Sequence, residues 1–132
     1  MMSKLCVSCG NDHMQHESKN LTFTYKTQSV TVEAVQGWYC PECGEAYLED
    51  NGRYAEACAA LVRQTTATEA ALIRDARKKL GLTQREAGEL FGGGVSAFSE
   101  YERGKTQPHK ATLLLLRLLR AHPELLNEVR VA

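Results

Sequence analysis

Two C-x2-C pairs, Cys6-Val7-Ser8-Cys9 and Cys40-Pro41-Glu42-Cys43, stand thirty residues apart and constrain the first half of this chain more than anything else in it. Each pair presents two thiolates from one tight turn, and two such turns facing each other make a tetrahedral four-sulfur site suited to Zn²⁺. Gly10 and Gly44 directly follow the pairs and supply permissive backbone. Four thiolates fill the coordination shell, so the expected metal is one structural zinc per chain, with no open position for catalysis. Redox-active dithiols are the rival reading, but no βαβ pattern surrounds either pair. Cys58 is expected as a small buried apolar residue, and His13 and His16 as solvated loop residues.

Between the pairs, Leu21–Lys26 and Val30–Val35 are β-rich and nearly alternating, which predicts a hairpin turning at Thr27-Gln28-Ser29. Gly37-Trp38-Tyr39 leads into the second pair, and Ala46–Glu49 reads as a short further strand. Residues 52–63 then look helical, with Tyr54, Ala55, Cys58, Leu61 and Val62 on one face. A domain of about 65 residues buries little apolar surface and commonly needs a metal or disulfides to hold together. That gives the four cysteines a structural purpose.

The formal net charge is zero, but it is unevenly spread. Residues 1–66 carry five Lys/Arg against eight Asp/Glu, a net of −3, and residues 67–132 carry eleven against eight, a net of +3. The paired cysteines, the only Trp and four of the five Tyr fall in the first part, while the second is rich in Leu, Ala and Arg. Gln64-Thr65-Thr66-Ala67-Thr68 is small and polar, as a linker would be. A basic half points to nucleic acid and an acidic half to a basic partner.

The second half predicts a helix-turn-helix. Residues 69–80 place Leu72, Ile73, Ala76 and Leu80 on one helical face, and Gly81 stops the helix. Thr83 is a good N-cap, with Glu86 three residues on to complete a capping box. Helix 84–91 turns Ala87, Leu90 and Phe91 inward, Gly92-Gly93-Gly94 ends it, and a second helix runs from Ser96 to about Arg103 with Phe98 and Tyr101 as its core pair. A tight turn between two short helices lets the second enter a DNA major groove. Phosphate contacts are expected from Arg74, Lys78, Gln84, Arg85, Arg103 and Lys105, with Ser96, Ala97 and Glu100 on the recognition helix. In the last long helix, His109–Ala121, the leucines cover more than the ~100° stripe a surface helix needs. A two-fold dimer covers the surplus and pairs the recognition helices for a palindrome.

Leu82-Thr83-Gln84-Arg85-Glu86-Ala87-Gly88, with Val95-Ser96 and Tyr101-Glu102-Arg103-Gly104, resembles the Cro/CI (XRE) helix-turn-helix family. Phe91-Gly92-Gly93-Gly94-Val95, Ala97-Phe98-Ser99, Gln107-Pro108-His109 and His122-Pro123-Glu124-Leu125-Leu126-Asn127-Glu128, with the upstream C-x2-C pairs, resemble the MqsA antitoxins. The resemblance implies a zinc-bearing domain over 1–66 that neutralises an MqsR-like mRNA endoribonuclease toxin. It also implies a helix-turn-helix domain over 67–132 that dimerises and represses its operon at a palindromic operator. Members of that family carry Asn and Arg on the recognition helix where this chain has Ser96 and Glu100, so the operator sequence is expected to differ. The fold class that follows is α+β: a small zinc-bound β-hairpin/helix domain, then an all-α five-helix XRE-type domain.

Other classes fit less well. No apolar run approaches the ~20 residues of a membrane span, and the N-terminus lacks a secretory h-region, so a cytoplasmic protein is expected. There is no His-Glu metal motif, nucleophile motif or phosphate-binding glycine loop, which argues against a zinc hydrolase or any other enzyme. A stand-alone zinc-ribbon transcriptional regulator without a toxin partner is the alternative.

Overall fold

In the computed structural model, which describes residues 3–131, the alternating stretch after the first cysteine pair folds on itself as one long hairpin. Strand β1 (Gln15–Tyr25) pairs antiparallel with β2 (Gln28–Tyr39), and β3 (Ala46–Leu48) adds to the far end of β2, giving the order β1-β2-β3. The strands are longer than the sequence predicts, and the turn is tighter. Tyr25 pairs with Gln28, so the loop is the two residues Lys26-Thr27, with Lys26 at φ 57°. Two-residue hairpin loops need such left-handed backbone and usually signal themselves with Asn-Gly or Asp-Gly, neither of which stands here.

A bulge interrupts the ladder between Lys19↔Val35 and Leu21↔Val32. Ala34 is the extra residue, at φ 55°, and the Asn20 side-chain carbonyl accepts its N–H at 2.9 Å. The Arg53 guanidinium donates to the carbonyls of Glu33 (2.7 Å) and Ala34 (3.1 Å) and so closes the bulge. At the other end of β2, Gly37 lies against the Tyr47 carbonyl where a Cβ has no room, which lets β3 approach.

Asp50 opens helix α1 (Arg53–Lys79) by accepting the N–H groups of Gly52 and Tyr54 on its carboxylate, at 3.1 and 2.7 Å. The stretch 64–68, expected as a linker, is instead helical and lies inside α1. Strong helix formers flank the threonines on both sides, and the Thr68 hydroxyl finds its partner inside the helix, donating to the Gln64 carbonyl at 2.9 Å. The chain divides into two compact units between Arg63 and Gln64.

The second unit continues with α2 (Gln84–Phe91), α3 (Ala97–Glu102), α4 (Lys110–Ala121), a single 3₁₀ turn at Pro123–Leu125 and α5 (Leu126–Arg130). Its core is built from Ile73 and Ala76 of α1, Phe98 of α3, Leu116 and Leu119 of α4 and Leu126 of α5, among others. Leu113, Leu116 and Leu119 fill the inner face of α4, whereas Leu114 and Leu118 stand half exposed on the opposite one. The core of the first unit is far smaller. Cys6, Met14 and Cys40 form a cluster against Trp38 and Tyr47, so two of the four paired cysteines are core residues. No helix of the described residues is long and apolar enough to cross a membrane.

Candidate functional site

The two C-x2-C segments fold into matching knuckles. The Cys6 carbonyl accepts the Gly10 N–H at 2.8 Å and the Cys40 carbonyl that of Gly44 at 3.1 Å, and both glycines sit at positive φ (83° and 80°). The N–H groups of Cys6 and Cys40 donate to Asn11 and Glu45, each at 2.8 Å, which ties back the start of each loop. The strand β2 delivers the second knuckle, and the N-terminal segment brings the first beside it.

The Sγ atoms of Cys6, Cys9, Cys40 and Cys43 all lie within 4.8 Å of one another, with Cys6–Cys43 and Cys9–Cys40 at 3.6 Å. A tetrahedron of sulfurs around an ion with bonds of ~2.3 Å has edges of about 3.8 Å, so the spacing fits a four-thiolate ion. Backbone N–H groups, first that of Cys43 and then that of Glu42, pull the Cys40 thiol down to about 7. The Glu45 N–H acts the same way on Cys43. Burial and the three neighbouring sulfurs outweigh it and push that thiol up to about 12. Four sulfurs this close cannot all ionise unaided, and a cation among them supplies the compensating charge.

Groups outside the sulfurs hold the knuckles in place. The Ser8 hydroxyl donates to Glu45 across the two loops at 2.8 Å, and the Val7 N–H donates to the Tyr47 hydroxyl at 3.0 Å. The Lys4 ammonium lies over the rings of Tyr47 (5.1 Å) and Trp38 (5.7 Å). His16 is a strand residue, not a loop residue. It packs on Trp38 at 4.9 Å and pairs with Glu49 at 3.0 Å, while His13 is exposed beside Asp12, and neither joins the sulfurs. Cys58 is half-buried and outside the cluster.

In the second unit the local signals locate α2 and α3. The capping box forms: the Glu86 N–H donates to the Thr83 hydroxyl and the Thr83 N–H to the Glu86 carboxylate, both at 3.1 Å. Gly92, Gly93 and Gly94 all take positive φ, between 89° and 97°. Gly88 is pressed against the Gly94 carbonyl so closely that no Cβ fits between α2 and the turn. Phe98 anchors α3, with the Tyr101 ring edge-on at 5.3 Å and Phe91 at 6.0 Å.

The residues proposed to face DNA fall as follows. Arg74 and Lys78 are exposed on α1, and Gln84 is half-buried at the start of α2. Arg85 is exposed and paired with Glu89 at 3.3 Å. Ser96, Glu100 and Arg103 follow one another at helical spacing along α3 and its end. Ser96 is exposed and its side chain makes no capping bond, the Glu100 carboxylate accepts from the Thr106 hydroxyl at 3.5 Å, and the Arg103 Nε donates to the Ser99 carbonyl at 3.2 Å. Lys105 is exposed just beyond. Ala97 is 6% exposed, and its methyl group belongs to the core beside the glycine turn.

Sequence reasoning passed over the ion pair that anchors α3. Arg77 of α1 donates through Nε and Nη2 to the two Glu102 oxygens at 2.8 and 2.9 Å, and through Nη1 to the Leu82 carbonyl at 2.9 Å. Both side chains are largely buried, and the pairing with Glu102 raises the Arg77 pKa above its ordinary value. Nothing in the local pattern marks a pair separated by 25 residues.

The chain thus joins four cysteines placed to hold a metal ion, beside a small sheet, to a compact helical unit with two short helices across a glycine turn. Residues 4–130 match the family described as the antitoxin component of a bacterial toxin-antitoxin system, MqsA. The chain is 41% identical over 133 residues to the antitoxin MqsA of Escherichia coli strain K12, covering 95% of this chain and 98% of that one. The chain belongs to the MqsA antitoxin family and has a regulatory, non-enzymatic role in a toxin-antitoxin system.

Proposed function

We propose that this antitoxin neutralises an MqsR-like mRNA endoribonuclease through residues 1–66, held by a structural zinc, and represses its own operon as a dimer through residues 67–132. The observation that carries this is a likeness running through both units, at 41% identity. The site chemistry supports it. Four soft thiolates at tetrahedral spacing favour Zn²⁺ over harder cations. β1 occupies the sheet edge, where a partner strand can extend the sheet, and the net −3 of residues 1–66 suits a basic ribonuclease. The half-exposed Leu114 and Leu118 of α4 supply a self-complementary apolar face for a cytoplasmic dimer, whose paired α3 helices meet a palindromic site.

Growth of cells expressing the adjacent small open reading frame, with and without this chain, tests the reading. Arrest rescued both by the full chain and by residues 1–66 supports neutralisation by the cysteine-bearing domain. Absence of toxicity from either neighbouring gene would overturn it in favour of a regulator with no toxin partner.

A further inference from the structure

We propose that Val95 is a specificity-determining residue of this antitoxin, reading the 5-methyl group of a thymine in the major groove of its operator. The proposal rests on the DNA-binding role given to α3 above. The usual bidentate base readers are Arg and Lys for guanine and Asn and Gln for adenine. From Val95 to Glu102 the chain has none of these, and its residues are Val, Ser, Ala, Phe, Ser, Glu, Tyr and Glu. Ala97 and Phe98 are spent in the core, and the Glu100 carboxylate is engaged with Thr106. Beside Glu100, whose carboxylate can accept from a cytosine amino group, this element offers base edges a hydroxyl and an apolar group at its leading end.

Val95 is that apolar group. Every residue from Gly92 to Ser96 is exposed, and within this run only Val95 and Ser96 carry side chains. Val95 is 59% exposed and takes no part in the core of its unit. The turn lies close against α2, where Gly88 meets Gly94, and against α3, where Gly93 meets Ala97 and Tyr101, which places Val95 just ahead of α3. A bare glycine turn lets the backbone come close to DNA, and apolar contact with the thymine methyl is the readout open to such a side chain.

The test uses full-length protein and double-stranded DNA selected from a random pool. At one T·A pair of each half-site, replacing dT by dU should weaken wild-type binding about fourfold, the scale of burying one methyl group. Val95→Ala should bind the dT and dU duplexes alike, and Ser96→Ala should keep the dU sensitivity. Non-specific DNA binding and an unchanged circular-dichroism spectrum show that each variant is folded. A wild type with no dU-sensitive position, or a V95A protein that keeps the sensitivity, overturns the assignment to Val95 alone. If no sequence is enriched from the pool, the DNA-reading role falls with it.

Discussion

Cys40 shows how one residue can serve the core and the metal together. It is 4% exposed, a member of the small cluster with Cys6 and Met14, and its thiol is already drawn toward ionisation by two backbone N–H groups. With so little apolar surface in that unit, metal affinity is folding free energy. Cys40→Ser is expected to abolish stoichiometric zinc and unfold the first unit while α2 to α5 persist. Metal analysis alongside near-ultraviolet circular dichroism checks this, and a metal-free variant that keeps the Trp38 signal would refute it. Arg77 and Glu102 pose the opposite case, a buried pair with no local signature. Glu102→Ala leaves the guanidinium without its partner and is expected to cost about 3 kcal/mol in urea unfolding. The double change Arg77→Met/Glu102→Leu should cost clearly less, because no charge is left stranded. The cysteine pairs were legible because their chemistry is local. The ion pair was not, because it depends on where α1 and α3 meet.

At the scale of elements, the helices of the second unit were legible and the hairpin only partly so. Thr83 and Glu86 announce α2 through a bond pattern contained in four residues, and the structure forms it. Alternation located the two strands but not their ends, since strand length depends on pairing with β3 and on the knuckles beyond. The threonine run at 64–68 misled for a similar reason. Its weak propensity is overridden by helix on both sides. The bulge at Ala34 has no sequence signal at all, because alanine is an unfavourable occupant of left-handed backbone. Ala34→Gly is therefore expected to stabilise the first unit by about 1 kcal/mol, read as a higher urea midpoint at unchanged slope. Loss of stability instead would mean that the methyl group packs usefully in the bulge. Arg53→Ala should act in the other direction, since it frees the carbonyls of Glu33 and Ala34.

Across the whole molecule, charge and apolar surface are divided in the same way as the proposed roles. Residues 67–132 carry the net +3, and within them α4 turns Leu114 and Leu118, half-exposed and one helical turn apart, away from the core. In the proposed dimer these side chains are buried and the number of basic groups offered to one duplex doubles. Association and DNA affinity should then fail together. Leu114→Arg/Leu118→Arg is expected to sediment as a monomer at concentrations where the wild type is a dimer, because burying two like charges from each subunit across a two-fold axis is strongly unfavourable. Fold and zinc content should be unchanged, since neither leucine belongs to the core. The slope of log affinity against log salt should also fall to about half its wild-type value, as one subunit's phosphate contacts are lost. A variant that is monomeric but keeps the full slope would show that one subunit makes all the phosphate contacts. A variant that stays dimeric would move the two-fold interface off α4, leaving Leu125, 37% exposed beyond it, as the next apolar surface to test.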